Sequence, residues 1–332
     1  MPFFLGHFLI VEKNGLDNYI LCMGNPKRQH YISQCYLKQF ADTTQTGKDP
    51  RIWIFSKDGK TKELKKVEKA FVSKHIYSLK SQTPNVPYDY SIEISLSELE
   101  DKYALIFENK ISKRKPLTDE EHIILCAFVA AMMLRTKGKK ENIEQNLDQI
   151  IDMTERMEKA HNLPPKKSEE LKSYKNDAHK LNLASLLAPI TELIVPMNLS
   201  FLCVKKNSKA KFITSDEPCS LFNPDLQWQK MYGYGLQQKN IQLTIPLSTG
   251  VIGCFCWNDL RGYINISDER VQDHNRMIRG TSHSNFISSS PVVKKIWFSK
   301  YPMSITFFIK KVIPNKMRMF LLKIRYKYVR RR

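Results

Sequence analysis

The chain has 332 residues, with 53 Lys and Arg against 33 Asp and Glu, a formal charge of +20, and 42% hydrophobic residues. Such a length and apolar content exclude a disordered chain or a disulfide-stapled miniprotein and leave room for one large core or two modest ones. Seven cysteines, odd in number and without a CxxC pair, argue against a disulfide framework or structural zinc site, so a reducing cytosol is the expected setting. The positive charge suits a polyanionic partner, nucleic acid or an anionic membrane surface, and says nothing of reaction type.

Residues 1–22 begin with an apolar stretch, Phe3 to Val11. No basic residue precedes it, Glu12 and Asp17 follow, and no cleavage pattern is present, so a signal peptide is not expected. We read 1–22 as an N-terminal extension and Met23 as an alternative start. A short helix over 33–40 has Tyr36, Leu37 and Phe40 as its apolar stripe. Arg51–Ser56, the Asp58-Gly59 turn and Thr61–Leu64 together predict a β-hairpin.

From Asp89 to Lys113 the pattern is helical, with Ile92, Leu96, Leu99, Tyr103, Ile106 and Phe107 spaced three and four apart. Glu93 and Glu100, seven apart, share one face of it. Thr118 and Glu121 form a capping box that opens a helix running to Arg135, apolar on most sides and therefore expected at the centre of a helical layer. Arg135 either compensates that helix's dipole or anchors Glu93 or an anionic ligand. Two charged helices, about 139–162 and 168–195, are separated by Leu163-Pro164-Pro165, the second with Tyr174, Leu181, Leu183, Leu186 and Leu187 on its inner face.

After Pro196 the texture changes to short extended runs, 199–204, 211–214, 241–245 and 251–257, expected as strands of one mainly antiparallel sheet. Cys254 and Cys256 face one side of such a strand as small buried hydrophobes. Ser267 caps a helix reaching about Arg279, and His274, Asn275 and His283 near it read as solvated or capping. The fold class is therefore α+β, a helical middle (about 89–195) packed with a C-terminal sheet (about 196–298) inside a body of residues 23–299. Residues 300–332 carry eleven positive charges and no acidic residue, with no apolar run long enough to span a membrane. That tail is either a basic amphipathic segment for anionic lipid or phosphate, or an unstructured extension.

His30-Tyr31 with Gln34, Tyr36, Leu37 and Phe40, then Glu93 and Glu100, Arg135-Thr136, and Thr214-Ser215-Asp216-Glu217-Pro218 occur in that order. This ordered set resembles the family catalogued as domain of unknown function 4238, over about residues 28–298. Ser33 stands where the family usually has proline, and Met132 where a Gln is common three residues before the Arg. The resemblance implies an architecture and a list of suspect residues, without biochemistry.

Of those suspects, His30 can be a general base or a metal ligand, or can fix the chain's entry into the domain. Asp216 can project a carboxylate into a cleft, or cap backbone N–H groups with Pro218 fixing the bend. Together Asp216, Glu93 and Glu100, with His30, can ligate Mg²⁺ or Mn²⁺ while Arg135 holds a phosphate, an arrangement suited to a metal-dependent, nuclease-like hydrolase. The alternative is a non-catalytic nucleic-acid-binding or protein-interaction module using basic surface with Trp53, Trp228, Tyr232 and Tyr234. No established nuclease, P-loop or Gly-x-Ser-x-Gly signature is present.

Overall fold

A computed structural model describes residues 27–45, 47, 49–81, 87–226 and 235–299. The N-terminal extension, Met23, Trp228, Tyr232, Tyr234 and the 300–332 tail lie outside the described residues.

Strand β1 (Arg28–His30) leads into the short helix α1 (Gln34–Leu37), which continues as a 3₁₀ turn to Phe40. Strands β2 (Arg51–Ser56) and β3 (Lys62–Lys66) form the predicted hairpin. Its turn is closed by Asp58, whose Oδ1 accepts from Ser56 Oγ at 2.6 Å and Lys60 N at 3.1 Å. Gly59 sits at φ 73°, and a Cβ there would come within 2.5 Å of the Phe298 ring, so glycine is required twice over. Strand β4 (Val72–Lys74) pairs with β1, and two-residue strands β5 (Leu79–Lys80) and β6 (Tyr88–Asp89) pair with each other.

Helix α2 (Ser91–Ile106) ends in a π-helical turn over Phe107–Ile111 instead of running on as a regular helix. Helix α3 (Asp119–Leu134) opens on the capping box, with Glu121 N donating to Thr118 Oγ1 and Thr118 N donating to Glu121 Oε2. Every residue from Leu125 to Met132 is buried, which makes α3 the central helix. Helices α4 (Lys137–Ala160) and α5 (Lys166–Ile194) form an antiparallel pair whose turn is locked by Glu158, accepting from Lys167 N, Ser168 N and Ser168 Oγ. The inner face of α5 runs through Ala178, His179, Leu183, Thr191 and Ile194, so of the expected set Leu183 is buried whereas Tyr174, Leu181 and Leu186 are exposed.

The expected single sheet is in fact two. Strands β7 (Asn198–Val204), β9 (Ser220–Phe222), β10 (Gln242–Ser248), β11 (Val251–Cys256) and β12 (Gly262–Ile266) form a five-stranded sheet in the order β12-β7-β11-β10-β9, antiparallel except for the β12–β7 pair. The 211–214 run leaves that sheet. Asn275 on helix α6 (Asp268–Thr281) takes its backbone groups, accepting from Ile213 N and donating to Lys211 O. Only β8 (Thr214–Ser215) is a strand, and it joins the N-terminal hairpin and β13 (Asn285–Ser288) in a second sheet ordered β3-β2-β13-β8. Asn275 is therefore a buried clamp and not a solvated residue. Ser267 occupies the cap position of α6 without a side-chain cap bond.

One core joins these parts: Tyr36 and Phe40, Ile52, Leu96 and Leu99, the buried face of α3, Leu183, and Phe201, Ile245 and Phe255 belong to the same apolar cluster. Cys254 and Cys256 are buried as expected. Among the described residues no helix is long and apolar enough to cross a membrane.

Candidate functional site

Because α3 is buried on all sides, the residue after its last turn is carried into the interior, and Arg135 is only 2% exposed. Its guanidinium donates to Glu100 Oε1 at 2.5 Å and to the backbone carbonyl of His30, and lies 5.8 Å from the centre of the Tyr77 ring. Tyr77 returns a hydrogen bond from its hydroxyl to the Arg135 carbonyl at 2.7 Å. Three distant segments, β1, α2 and the end of α3, are therefore tied at one side chain. Arginine suits this position because its planar fork serves a carboxylate and a carbonyl at once. The expected anchoring of Glu93 by Arg135 is not found: the guanidinium pairs with Glu100 instead.

Glu93 stands two turns before Glu100 on the same face of α2, half-buried. Burial pushes its carboxyl up to about 7, with Arg135 pulling it down and Glu100 pushing it further up. Its Oε2 and the Nε of Arg135 are both buried without a hydrogen-bond partner. His30 is also half-buried; burial lowers its pKa, opposed by its bond to the Glu68 carbonyl. That bond, 3.1 Å from Nε2, fixes the Nε2–H tautomer, because a carbonyl can only accept, and leaves Nδ1 as the lone-pair nitrogen facing the Gln34 amide at 3.4 Å. Cys35 adjoins Glu100, yet burial pushes its thiol up to about 12, so it is no nucleophile at neutral pH.

Thr136, next to Arg135, serves a second group. Its hydroxyl donates to Glu217 Oε1 at 2.6 Å and accepts from Lys139 N, capping α4. Gly138 makes the approach possible, since a Cβ there would meet Glu217 Oε1 at 2.3 Å and the His283 ring at 3.0 Å. His283 Nε2 pairs with Glu141 Oε2 at 2.8 Å. Asp216, 4% exposed, accepts from the backbone N–H groups of His283, Ser284 and Asn285 at 2.9, 2.8 and 2.7 Å. Burial raises its carboxyl and those three amides oppose the shift. Tyr36 and Thr214 hydroxyls meet at 2.5 Å.

The motifs spread along the chain thus meet in space. His30 and Glu100 meet at Arg135, Thr136 meets Glu217, and Tyr36 meets Thr214. They do not meet as a metal cage. Among the described residues no three His, Cys, Asp or Glu side chains are placed to hold a metal ion, so Asp216, Glu93 and Glu100 are not gathered as ligands. Asp216 latches the turn into β13 with both oxygens, and Glu100 is spent on Arg135. His283 is exposed, as expected of a solvated residue, and its Nε2 lies 2.8 Å from Glu141 Oε2. Trp53 donates its Nε1–H to Asp42 at 2.8 Å and carries Lys62 over its ring, so it is built into the surface. Sequence reasoning did not single out Tyr77, Gln29 or Glu141. Gln29 is buried and bonds Ser78 Oγ and Tyr77 N, with no local signal beyond its place beside His30-Tyr31.

These features define an α+β protein whose ordered motifs close on a set of buried and part-buried polar contacts. The chain belongs to the protein family of unknown function DUF4238, whose model matches residues 28–291. No curated protein and no solved structure matches it.

Proposed function

We propose that the protein is a nuclease that cleaves RNA by proton transfer, with Glu93 as general acid and His30 as general base. One observation carries this reading: of two carboxyls on one helix face, Glu100 is spent in an ion pair while Glu93 has a buried Oε2 without a hydrogen-bond partner and a pKa pushed up to about 7. Environments that push neighbouring titratable groups apart are the usual basis of acid–base assignment. The polymer is suggested by the charge of the body, +10 over residues 23–299.

An imidazole base and a carboxylic acid suit the internal transesterification of RNA, which needs only proton transfer at the two oxygens. His30 Nδ1 takes the proton of a ribose 2′-hydroxyl, and the 2′-oxygen forms a bond to the adjacent phosphorus. The bond from phosphorus to the 5′-oxygen breaks, and Glu93 gives that oxygen its proton, leaving a 2′,3′-cyclic phosphate. Arg135 is a positioning residue, holding Glu100 and the His30 backbone.

The test is a short oligonucleotide with one ribonucleotide, incubated with a chelator. Cleavage to a cyclic phosphate is expected, with an all-deoxy strand left intact and the rate lowered at least about 100-fold in Glu93→Gln. No cleavage, or cleavage that needs a divalent ion, overturns it. A non-catalytic binding role is the second reading, favoured by Arg135, Asp216 and Glu217 being engaged with internal partners; it predicts binding without product.

A further inference from the structure

The positive charge of the body is not spread evenly. Residues 27–81 hold 13 Lys and Arg against 5 Asp and Glu, whereas residues 82–299 hold 28 against 26. The fold concentrates part of this excess. In the β1–β4 ladder Arg28 stands directly opposite Lys74, both exposed, and in the hairpin Arg51 stands opposite Lys66. Like charges directly opposite one another destabilise a strand pair. Lys66 is offset by Asp49 at 2.5 Å, but among the described residues no carboxylate forms an ion pair with Arg28 or Lys74. The β1–β4 pair therefore carries an uncompensated repulsion that a polyanion would relieve.

Beside Lys74 stands an aromatic group. The ring of His75 stacks on Tyr88 at 4.1 Å and 16°, and Tyr90 lies 6.1 Å from Tyr88 and 6.3 Å from His75. All three are half-buried. His75 is held at φ 51°, a left-handed conformation unusual for histidine, with its amide bonded to the Lys27 carbonyl at 3.0 Å. Its Nδ1 is buried and unpartnered. The same short elements continue into the candidate site: β1 carries Arg28 and then His30, and α2 begins directly after Tyr90 and carries Glu93.

We infer that Arg28 and Lys74 with the His75–Tyr88–Tyr90 group form a platform for single-stranded RNA, phosphates on the cations and a base on the aromatic group, delivering the strand to His30 and Glu93. The choice of RNA rests on the function proposed above; the location does not. Proteins that hold single strands without reading their sequence combine these two features, a cationic track and aromatic faces. A membrane surface fits less well, because the exposed large apolar side chains of the described residues, Leu105 to Ile296, all lie outside residues 27–81.

The experiment is fluorescence anisotropy of a labelled 20-nucleotide RNA with the full chain at 50 to 200 mM salt. Binding that weakens with salt is expected. Arg28→Ala with Lys74→Ala should lower the slope of log affinity against log salt by about 1.4, two phosphate contacts on a single strand. Tyr88→Ala should cost about tenfold in affinity with the slope unchanged. Binding that survives with no cleavage by any variant removes the proposed chemistry and leaves the platform standing. Unchanged affinity and slope in the double variant, whether or not RNA is cleaved, overturn the platform. So does a stronger effect of the double variant on vesicles containing phosphatidylserine than on RNA.

Discussion

Asp216 and Glu93 are both carboxyls withdrawn from water, and the chain uses them in opposite ways. Asp216 is surrounded by donors: three successive backbone amides close on its two oxygens, so its burial is partly offset by bonds that tie the end of β8 to the start of β13. Glu93 is left with an oxygen that nothing meets, beside an arginine nitrogen that nothing meets. A carboxylate whose oxygens are taken up by backbone donors is architecture. One with a buried oxygen left over and a pKa raised to about 7 can exchange a proton in the neutral range.

The sharpest way to break this contrast is Asp216→Ala, which leaves three part-buried amides without their acceptor and should cost about 3 to 5 kcal/mol by chemical denaturation. A loss under about 1 kcal/mol would mean that the latch is not structural. Glu93→Gln should do the reverse. Since the folded-state pKa of Glu93 is raised to about 7 from 4.5, the unfolded chain releases its proton first, and stability falls as pH rises from about 4.5 to about 7. The variant carries no such proton, so it should match the unaltered chain at pH 4 and exceed it at pH 8 by at most about 3 kcal/mol. Gly138→Ala should cost about 1 to 2 kcal/mol by driving Glu217 from Thr136, read as a lower melting temperature. The smallest effect is on the pH profile of cleavage: activity should rise as His30 loses its proton, below the ordinary histidine value, and fall as Glu93 loses its own near 7, giving a narrow bell.

Much of this fold is legible in the sequence where the signal is local. The Asp58-Gly59 hairpin and the Thr118–Glu121 capping box depend on residues two to five apart, and both form as written. The seven-residue spacing of Glu93 and Glu100 also places them on one face, and the ordered motifs do meet. What local pattern cannot carry is which of two equivalent partners wins. Arg135 takes Glu100 and not Glu93, and Asp216 serves amides nearly seventy residues away in place of its own turn. The second sheet was hidden for the same reason. Its central pairing, β2 with β13, joins the two ends of the body, and the 211–213 run looks like a strand although its backbone is satisfied by the Asn275 side chain and the Thr249 carbonyl.

The contrast rests on one proton. A carbon-13 titration of the Glu93 side-chain carboxyl, assigned by comparison with Glu93→Gln, measures it directly. A midpoint near 7 is predicted. A midpoint near the ordinary glutamate value of 4.5 would show that burial does not hold the proton on Glu93 and would remove the general acid from the proposed chemistry.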